Sequence, residues 1–236
     1  MREFTASVLE LIQTTPSSVT VRMEKPGDFD FKPGQWGYFT IQANTGSVSR
    51  SLSFSSSPTE PYLDFTKRIS DSDFCTALEN LREGDEISFH GPMGSLVYEG
   101  GLEKVTFLAG GIGITPIRSI LKNVIDRKIS GEKYLIYGNL NIEEAAFSEE
   151  IRQWEGLDPG LKVIHVLLDP HEGWKGFSGF IDSSIIEASV PDLPGQTFYV
   201  SGPPPMVEAV TAHLDDLGIH RDRVYKEELE GYEGMI

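Results

Sequence analysis

The sequence is poor in the residues that form covalent or metal cross-links. It has one cysteine, Cys75, in 236 residues, which excludes a disulfide within the chain and any iron–sulfur cluster ligated by its own cysteines. The five histidines are scattered, and none stands in an H-E-x-x-H or similar metal-binding pair. We therefore predict no metal site.

Basic residues are also scarce. Lysine and arginine number 20 against 36 aspartates and glutamates, which gives a net charge of −16. Because phosphate contacts require a basic face, this balance argues against a nucleic-acid-binding protein. We interpret the surplus carboxylates as a solvated surface.

Long apolar runs are missing as well. No stretch approaches the roughly 18–20 apolar residues that cross a bilayer. The first fifteen residues, MREFTASVLELIQTT, lack the apolar centre of a signal peptide. We therefore expect a cytoplasmic protein without a membrane span.

The first hundred residues do contain a series of short, strand-like segments separated by turn signals such as Lys32-Pro33-Gly34. These segments are TASVLELI, SVTVRMEK, WGYFTIQ, RSLSFSS, PYLDFTKR and EISFH. Six short strands at this spacing predict an antiparallel barrel or sandwich. One helix interrupts them, DFCTALENL, with Asp73 as its N-cap.

After Gly100-Gly101 the pattern changes to alternating strands and helices. The apolar strand KVTFLA runs into a helix with one predicted buried face, formed by Ile117, Ile120, Leu121, Val124 and Ile125. Further strands and helices alternate from there, which predicts a parallel sheet with crossover helices. We therefore predict two domains, residues 1–100 and residues 101–236.

Two strands of the second half end in glycine-rich turns. The segment LAGGIGITPIRSIL, 108–121, passes from strand through glycines to a helix that opens with Thr115 and Pro116, and FYVSGPPPMVEAV, 198–210, has a similar order. Glycines allow close approach of backbone to a ligand, and a helix N-terminus suits a diphosphate. A purely structural tight turn would also explain each segment alone. Because loops at the carboxyl ends of parallel strands line the ligand crevice, two such turns together indicate a ligand site more strongly than either alone.

The order of these motifs resembles that of the ferredoxin–NADP reductase-like flavoprotein family. The shared segments are RSLS with SSSP, GDEISFHGPMGS, LAGGIGITP, YGN, WKGFSGFI and YVSGPPPM. The resemblance extends from about Pro33 to Glu227. It implies an N-terminal flavin-binding β-barrel domain and a C-terminal α/β domain that binds a nicotinamide nucleotide.

On the flavin side, the resemblance implies a set of cofactor-binding residues: Arg50, Ser51, Leu52, Ser53, Lys67, Arg68, Cys75 and Thr76. Arginine suits a flavin phosphate because its guanidinium bonds phosphate oxygens as a fork. Leu52 stands where the family has a tyrosine. The N–H groups of Cys75 and Thr76 would hold a second phosphate, which favours FAD over FMN.

On the nucleotide side, the residues implied are Gly110, Gly111, Gly113, Thr115, Gly202, Pro203 and Met206. The implied catalytic residues are Ser53, Ser201 and Glu227, which would shape the space between the nicotinamide and flavin N5. Ser201 replaces the family's cysteine. Leu229 stands where the family has an aromatic residue, and whether Tyr232 substitutes for it is left open.

The residues after YGN bear on the choice of nucleotide. Leu140 and Asn141 follow this segment, and then come Glu143 and Glu144, whose charges would repel a 2′-phosphate. This favours NADH, with NADPH as the alternative.

The function implied is transfer of electrons from NADH through FAD to a separate acceptor protein, such as a ferredoxin, an oxygenase component or a cytochrome. Two alternatives stay open: a diaphorase or flavin reductase with small acceptors, and a non-catalytic nucleotide-sensing subunit. An acidic ferredoxin would need a local basic patch on this acidic chain. The candidates for such a patch, near one helix, are Arg118, Lys122, Arg127 and Lys128.

Overall fold

The computed structural model describes residues 2–43 and 46–229. The first domain is one antiparallel sheet with the strand order β4-β3-β6-β1-β2-β5. Its elements are β1 (Glu3–Thr15), β2 (Ser18–Glu24), β3 (Trp36–Ala43), β4 (Gly46–Ser53), β5 (Tyr62–Arg68), α1 (Asp73–Glu79) and β6 (Glu86–Met93). The sheet curls until its edge strands meet, where Phe54 forms an antiparallel bridge with Phe65. This confirms the predicted antiparallel barrel fold.

Phenylalanines fill the interior of the barrel. Phe29 contacts the rings of Phe4, Phe54 and Phe89 at centroid distances of 4.8, 5.4 and 5.0 Å, and all four are buried. Such ring pairs stabilise a core by about 0.5–1.5 kcal/mol beyond the area they bury. Because strand side chains alternate between faces, the phenylalanines that fill the interior leave polar side chains of β2 and β5 on the outer face.

The helix of the barrel domain, α1, begins one residue earlier than predicted. Ser72 is its N-cap, and its hydroxyl accepts a hydrogen bond from the Cys75 N–H at 3.3 Å. The prediction of Asp73 as N-cap is therefore wrong. Asp73 is the first helical residue, where its carboxylate still favours the positive end of the helix.

The second domain is a parallel sheet with the strand order β10-β9-β8-β7-β11-β12. Its strands are β7 (Lys104–Gly110), β8 (Glu132–Asn139), β9 (Leu161–Leu167), β10 (Phe177–Ser178), β11 (Thr197–Gly202) and β12 (Val224–Glu228). Its helices are α2 (Ile114–Arg127), α3 (Ser148–Leu157), α4 (Ser183–Ser189) and α5 (Pro204–Asp216). This confirms the predicted parallel α/β fold.

Helices cover both faces of the parallel sheet, with α2 and α3 on one side and α4 and α5 on the other. On α2, four of the five residues predicted to be buried are buried, and Ile125 is half-buried. Among the described residues, no helix combines the length and the apolar character needed to cross a membrane.

The strand order reverses between β7 and β11. From β7 the chain proceeds to β8 on one side, and from β11 it proceeds to β12 on the other. Ala109 and Ser201 are register partners at the carboxyl ends of these two strands. Both glycine-rich turns therefore lie at the switch point, where open parallel sheets bind their ligands.

Between the two sheets, β6 ends at Met93 and β7 begins at Lys104. Leu96 and Tyr98 already lie in the core beneath α2. The domain boundary at residue 100 stays a prediction.

Candidate active site at the domain junction

The three residues predicted to be catalytic meet where the two domains touch. Ser53, the last residue of β4, donates a hydrogen bond from its hydroxyl to Oε1 of Glu227 on β12 at 3.1 Å. Glu227 is in turn the register partner of Ser201 on β11. One residue from the barrel thus lies beside two from the parallel sheet.

The Glu227 carboxyl has an unusual environment. Burial raises its pKa to about 7, and the hydrogen bond from Ser53 opposes part of that rise. Trp36 and Gly94 form one wall, because a Cβ on Gly94 would lie 2.6 Å from Cδ1 of Trp36 and 3.3 Å from Oε2 of Glu227. The carboxyl therefore changes its protonation state near neutral pH, which is typical of functional sites.

Ser201 lies at the centre of this arrangement and is fully buried. Its hydroxyl has no hydrogen-bond partner within residues 2–43 and 46–229. Buried hydroxyls are normally satisfied, so an unpaired one next to Glu227 indicates a place for a ligand group.

Gly113 joins the two glycine-rich turns by direct backbone contact. A Cβ at this position would lie 2.3 Å from the Ser201 carbonyl oxygen and 2.6 Å from the Gly202 Cα. Gly111 adopts a φ of +50°, and its carbonyl accepts a hydrogen bond from the Tyr137 hydroxyl at 3.2 Å. These glycines bring the ends of β7 and β11 together.

The helix after the first turn begins at Ile114, one residue before the predicted Thr115, and a 3₁₀ turn over Gly111–Gly113 precedes it. The Thr115 hydroxyl points back to this turn and donates to the Ile112 carbonyl at 3.0 Å. Thr115 is buried, so in this structure its hydroxyl supports the turn.

Met206 lies over the crevice between the two turns. Its sulfur would be 2.4 Å from a Cβ on Gly110 and 2.5 Å from one on Gly202. Pro203 occupies the N-cap position of α5 and lies against Gly110. The structure thus brings together all four of these predicted nucleotide-binding residues.

The predicted flavin-binding residues of the barrel form a second group. Arg50 is exposed, and its Nη1 donates to the Ser49 carbonyl at 2.8 Å. Ser51 and Leu52 are half-buried, and Leu52 packs against the barrel core. Burial lowers the pKa of Lys67, and the neighbouring charge of Arg50 lowers it further. Two cationic side chains therefore lie close together on this part of the barrel.

The amide groups predicted to hold a second phosphate are engaged within α1. The Cys75 N–H donates to Ser72 Oγ at 3.3 Å, and the Thr76 N–H donates to the Ser72 carbonyl at 2.9 Å. Cys75 is buried, with its sulfur 3.7 Å from the Arg68 carbonyl oxygen. The phosphate role of Cys75 and Thr76 stays a prediction.

Comparison with known proteins bears on this arrangement. Residues 107–212 match the oxidoreductase NAD-binding domain family. The whole fold is similar to a ferredoxin NADP⁺ reductase from Neisseria gonorrhoeae solved with bound FAD and NADP, with a TM-score of 0.83, 20% identity, and coverage of 97% of this chain and 99% of that one. Residues 107–212 thus form an oxidoreductase NAD-binding domain, and the chain has the ferredoxin–NADP reductase-like fold.

Two curated relatives of this ferredoxin–NADP reductase-like chain have named activities. An NADH-cytochrome b5 reductase 1 from Ajellomyces capsulatus is 33% identical over 192 residues, which cover 77% of this chain and 62% of the relative. A glycine betaine monooxygenase reductase subunit from Pseudomonas aeruginosa is 28% identical over 211 residues, which cover 86% and 57%. The chain thus spans about three fifths of the length of these relatives.

Arg68 and Glu144 of the ferredoxin–NADP reductase-like chain lie at a second contact between the domains. The Arg68 Nε donates to Ser17 Oγ at 3.3 Å, and its Nη2 lies 3.9 Å from Glu144 Oε2. Glu144 also accepts from the hydroxyl of Thr15 at 3.1 Å. The Glu144 charge is therefore partly compensated by the barrel, whereas Glu143 is exposed. Of the two carboxylates predicted to repel a 2′-phosphate, Glu143 is thus the less compensated one.

Two of the four basic residues named for a docking patch, Arg118 and Lys122, are engaged in ion pairs. Arg118 is 4% exposed and is ion-paired to Glu60 and Glu150. Lys122 pairs with Asp126. Arg118 is therefore not available to a basic docking patch, because its charge is buried between the domains.

The serines that follow Ser53 have a role in domain docking that was not predicted from the sequence. The Ser55 carbonyl accepts from Arg118 Nη1 at 3.0 Å, and the Ser56 carbonyl accepts from the Ser119 hydroxyl at 2.6 Å. These two residues dock the barrel on α2. The run of serines after a strand was the available signal, since small polar residues allow a second domain to approach the backbone closely.

Proposed function

We propose that this chain is an NAD(P)H-dependent FAD oxidoreductase that passes electrons from NADH to a separate acceptor protein. The observation that carries the proposal is the hydrogen bond between Ser53 and Glu227. It joins the barrel to the parallel sheet at the switch point, where the glycine-rich turns of the second domain face the end of β4.

The residues of the barrel fit an FAD. The exposed Arg50 and the neighbouring Lys67 supply two cations for a diphosphate. Leu52 offers an apolar side chain two residues after Arg50 on the same strand. When bound, FAD would supply the redox chemistry, by accepting two electrons together from the nicotinamide and releasing them singly.

The residues at the domain junction would orient the nicotinamide. The buried Ser201 hydroxyl is available to a polar group of the ring. Ser53 is small enough to leave the path between the two rings open, and its hydrogen bond holds Glu227 in place. Together these side chains would keep the reacting atoms roughly 3–3.5 Å apart, the range for near-attack geometry.

NADH is the proposed electron donor. Leu140 is exposed at the end of β8 and offers no cation to a 2′-phosphate. The exposed Glu143 adds repulsion nearby. Because the barrel partly compensates the charge of Glu144, the preference for NADH rests mainly on Leu140 and Glu143.

A protein is the proposed electron acceptor. The names of the two relatives describe enzymes that serve a cytochrome b5 and a monooxygenase. The chain has a net charge of −16, and Arg118 offers no free charge for docking. Because docking faces have complementary charge, we favour an acceptor with a basic or neutral face over an acidic ferredoxin. The cytoplasmic location stays a prediction.

The visible spectrum of the purified protein tests this function. We expect a bound-flavin spectrum that bleaches under anaerobic NADH and bleaches more slowly with NADPH. A colourless protein that takes up no added FAD would overturn the proposal in favour of a nucleotide-sensing subunit. Turnover with free flavin as efficient as with any cytochrome or oxygenase component would replace the protein acceptor by a small one.

A further inference from the structure

Arg118 makes five hydrogen bonds, one for each N–H of its guanidinium. Nε and Nη2 donate to the two Glu150 oxygens at 2.9 and 2.6 Å. Nη2 also donates to Glu60 Oε1 at 3.0 Å, while Nη1 donates to Glu60 Oε2 and to the Ser55 carbonyl. The Arg118 and Glu60 side chains are only 5% and 6% exposed. We call Arg118, Glu60 and Glu150 the interdomain clamp.

The clamp spans the two domains. Glu60 and Ser55 belong to the loop between β4 and β5, whereas Arg118 and Glu150 lie on α2 and α3. The next residue on α2, Ser119, donates to the Ser56 carbonyl at 2.6 Å. The barrel loop therefore contacts α2 through its backbone carbonyls as well as through the Glu60 carboxylate.

The clamp is close along the chain to both halves of the proposed active site. Ser55 follows Ser53 by two residues, and Arg118 follows Gly113 by five, about one and a half helical turns. The clamp is therefore only a few residues along the chain from Ser53, on the flavin side, and from the turn at Gly113, which contacts Ser201.

A buried ion pair of this kind is weak evidence for net stability, because desolvation offsets most of the attraction. Its geometry is more informative. Interfaces between domains allow relative motion by default, and this one is polar, since the Thr15 hydroxyl of the barrel donates to Glu144 of the second domain at 3.1 Å. Every N–H of the Arg118 guanidinium is used in bonds to groups of both domains. These bonds can all form only in one relative position of the two domains.

We propose that Arg118 is a positioning residue that holds the nicotinamide-binding turn at a fixed distance from the flavin-binding strand. This inference rests on the proposed function. The phosphates of the nucleotide would bind within the second domain alone, so loosening the clamp leaves nucleotide affinity in place. Alignment of the two rings depends on both domains, and a displacement of about 1 Å can slow a reaction about 10²-fold.

The test is anaerobic stopped-flow reduction of the flavin-loaded protein by NADH, which separates the limiting rate from the NADH Kd. Glu60→Gln removes the charge of the barrel partner at constant size, and Arg118→Lys keeps the charge but loses the fork. We expect the limiting rate to fall about 10- to 100-fold in both variants, with the Kd within about twofold of the unmodified protein. The matched control is Arg152→Gln, which breaks an exposed pair with Glu149 on α3 and leaves both constants unchanged.

Two outcomes would overturn the inference, and they are distinguishable. If NADH does not reduce the unmodified protein, the proposed function fails and the inference falls with it. If NADH reduces the unmodified protein and Glu60→Gln at the same limiting rate, only the inference fails. Should either clamp variant misfold, Ser119→Ala removes a single neutral interdomain bond, and we expect it to slow the limiting rate about threefold; an unchanged rate would count against the clamp.

Discussion

The hydroxyl of Ser53 and the carboxylate of Glu227 form a hydrogen bond of 3.1 Å although 174 residues separate them in sequence. One lies at the end of a barrel strand and the other on the edge strand of the parallel sheet. Their contact therefore reports directly on how the domains are docked. It also links a titratable group to the residue that the resemblance places nearest to flavin N5.

Replacing Ser53 by alanine removes the barrel side chain that holds Glu227. We expect flavin reduction by NADH to slow about tenfold, because a hydrogen bond to a charged group contributes about 1.5–3 kcal/mol. We also expect the pKa of Glu227 to rise, since the Ser53 bond lowers it. Stopped-flow reduction between pH 5 and pH 9 measures both effects.

The control for Ser53→Ala is Ser47→Ala, on the same strand. Ser47 is exposed, and its hydroxyl contacts Gln42 at the surface. We expect no change in rate or pH profile. A Ser53→Ala protein that is reduced as fast as the unmodified one would remove Ser53 from the mechanism.

Glu227 also makes stability depend on pH. Burial raises its pKa from the ordinary 4.5 to about 7, so between these values the folded chain holds a proton that the unfolded chain has released. The free energy of unfolding then falls as the pH rises through this interval, by roughly 1–3 kcal/mol for this partly buried carboxyl. Glu227→Gln removes this dependence.

The measurement is urea denaturation of both proteins, without added cofactor, at pH 5 and pH 8. Other groups titrate as well, so the informative quantity is the difference between the two proteins at each pH. We expect Glu227→Gln to gain stability relative to the unmodified chain at pH 8. A constant difference at both pH values would contradict the raised pKa.

Much of the fold could be predicted from the sequence, because its signals are local. Short β-rich segments bounded by turn residues identified the barrel, and the spacing of Ile117, Ile120 and Val124 identified the buried face of α2. The N-cap of α1 was misplaced because Ser72 and Asp73 are both good capping residues. Only the backbone angles at Ser72 decide between them.

The docking of the domains could not be predicted in the same way. Arg118 looks like a surface residue because a buried charge is rare unless it is paired. Its partners are 58 residues before it and 32 residues after it, and nothing local in the sequence connects them. The same holds for Glu144, whose contacts with Thr15 and Ser17 depend on how the barrel is oriented.

Gly113→Ala tests the close contact between the two glycine-rich turns. Its Cβ would lie 2.3 Å from the Ser201 carbonyl oxygen, so backbone must shift at the centre of the proposed site. We expect a loss of about 3 kcal/mol or more in the free energy of unfolding and a loss of nucleotide binding, measured by denaturation and by NADH titration. Gly156→Ala on α3 meets nothing within 4 Å, and we expect it to stabilise the protein by about 0.5–1 kcal/mol; equal effects of the two substitutions would contradict this role for Gly113.

The choice between NADH and NADPH can be tested at Leu140. This residue is 49% exposed just after β8, where an arginine could bond the 2′-phosphate as a fork. We expect Leu140→Arg to raise kcat/KM for NADPH about tenfold relative to NADH, since one charged hydrogen bond contributes about 1.5–3 kcal/mol. Leu157→Arg adds the same charge at the 72% exposed end of α3 and separates a local contact from a general change in net charge. If both variants alter the NADPH preference equally, the 2′-phosphate does not lie beside Leu140, and the argument for NADH from this strand end is lost.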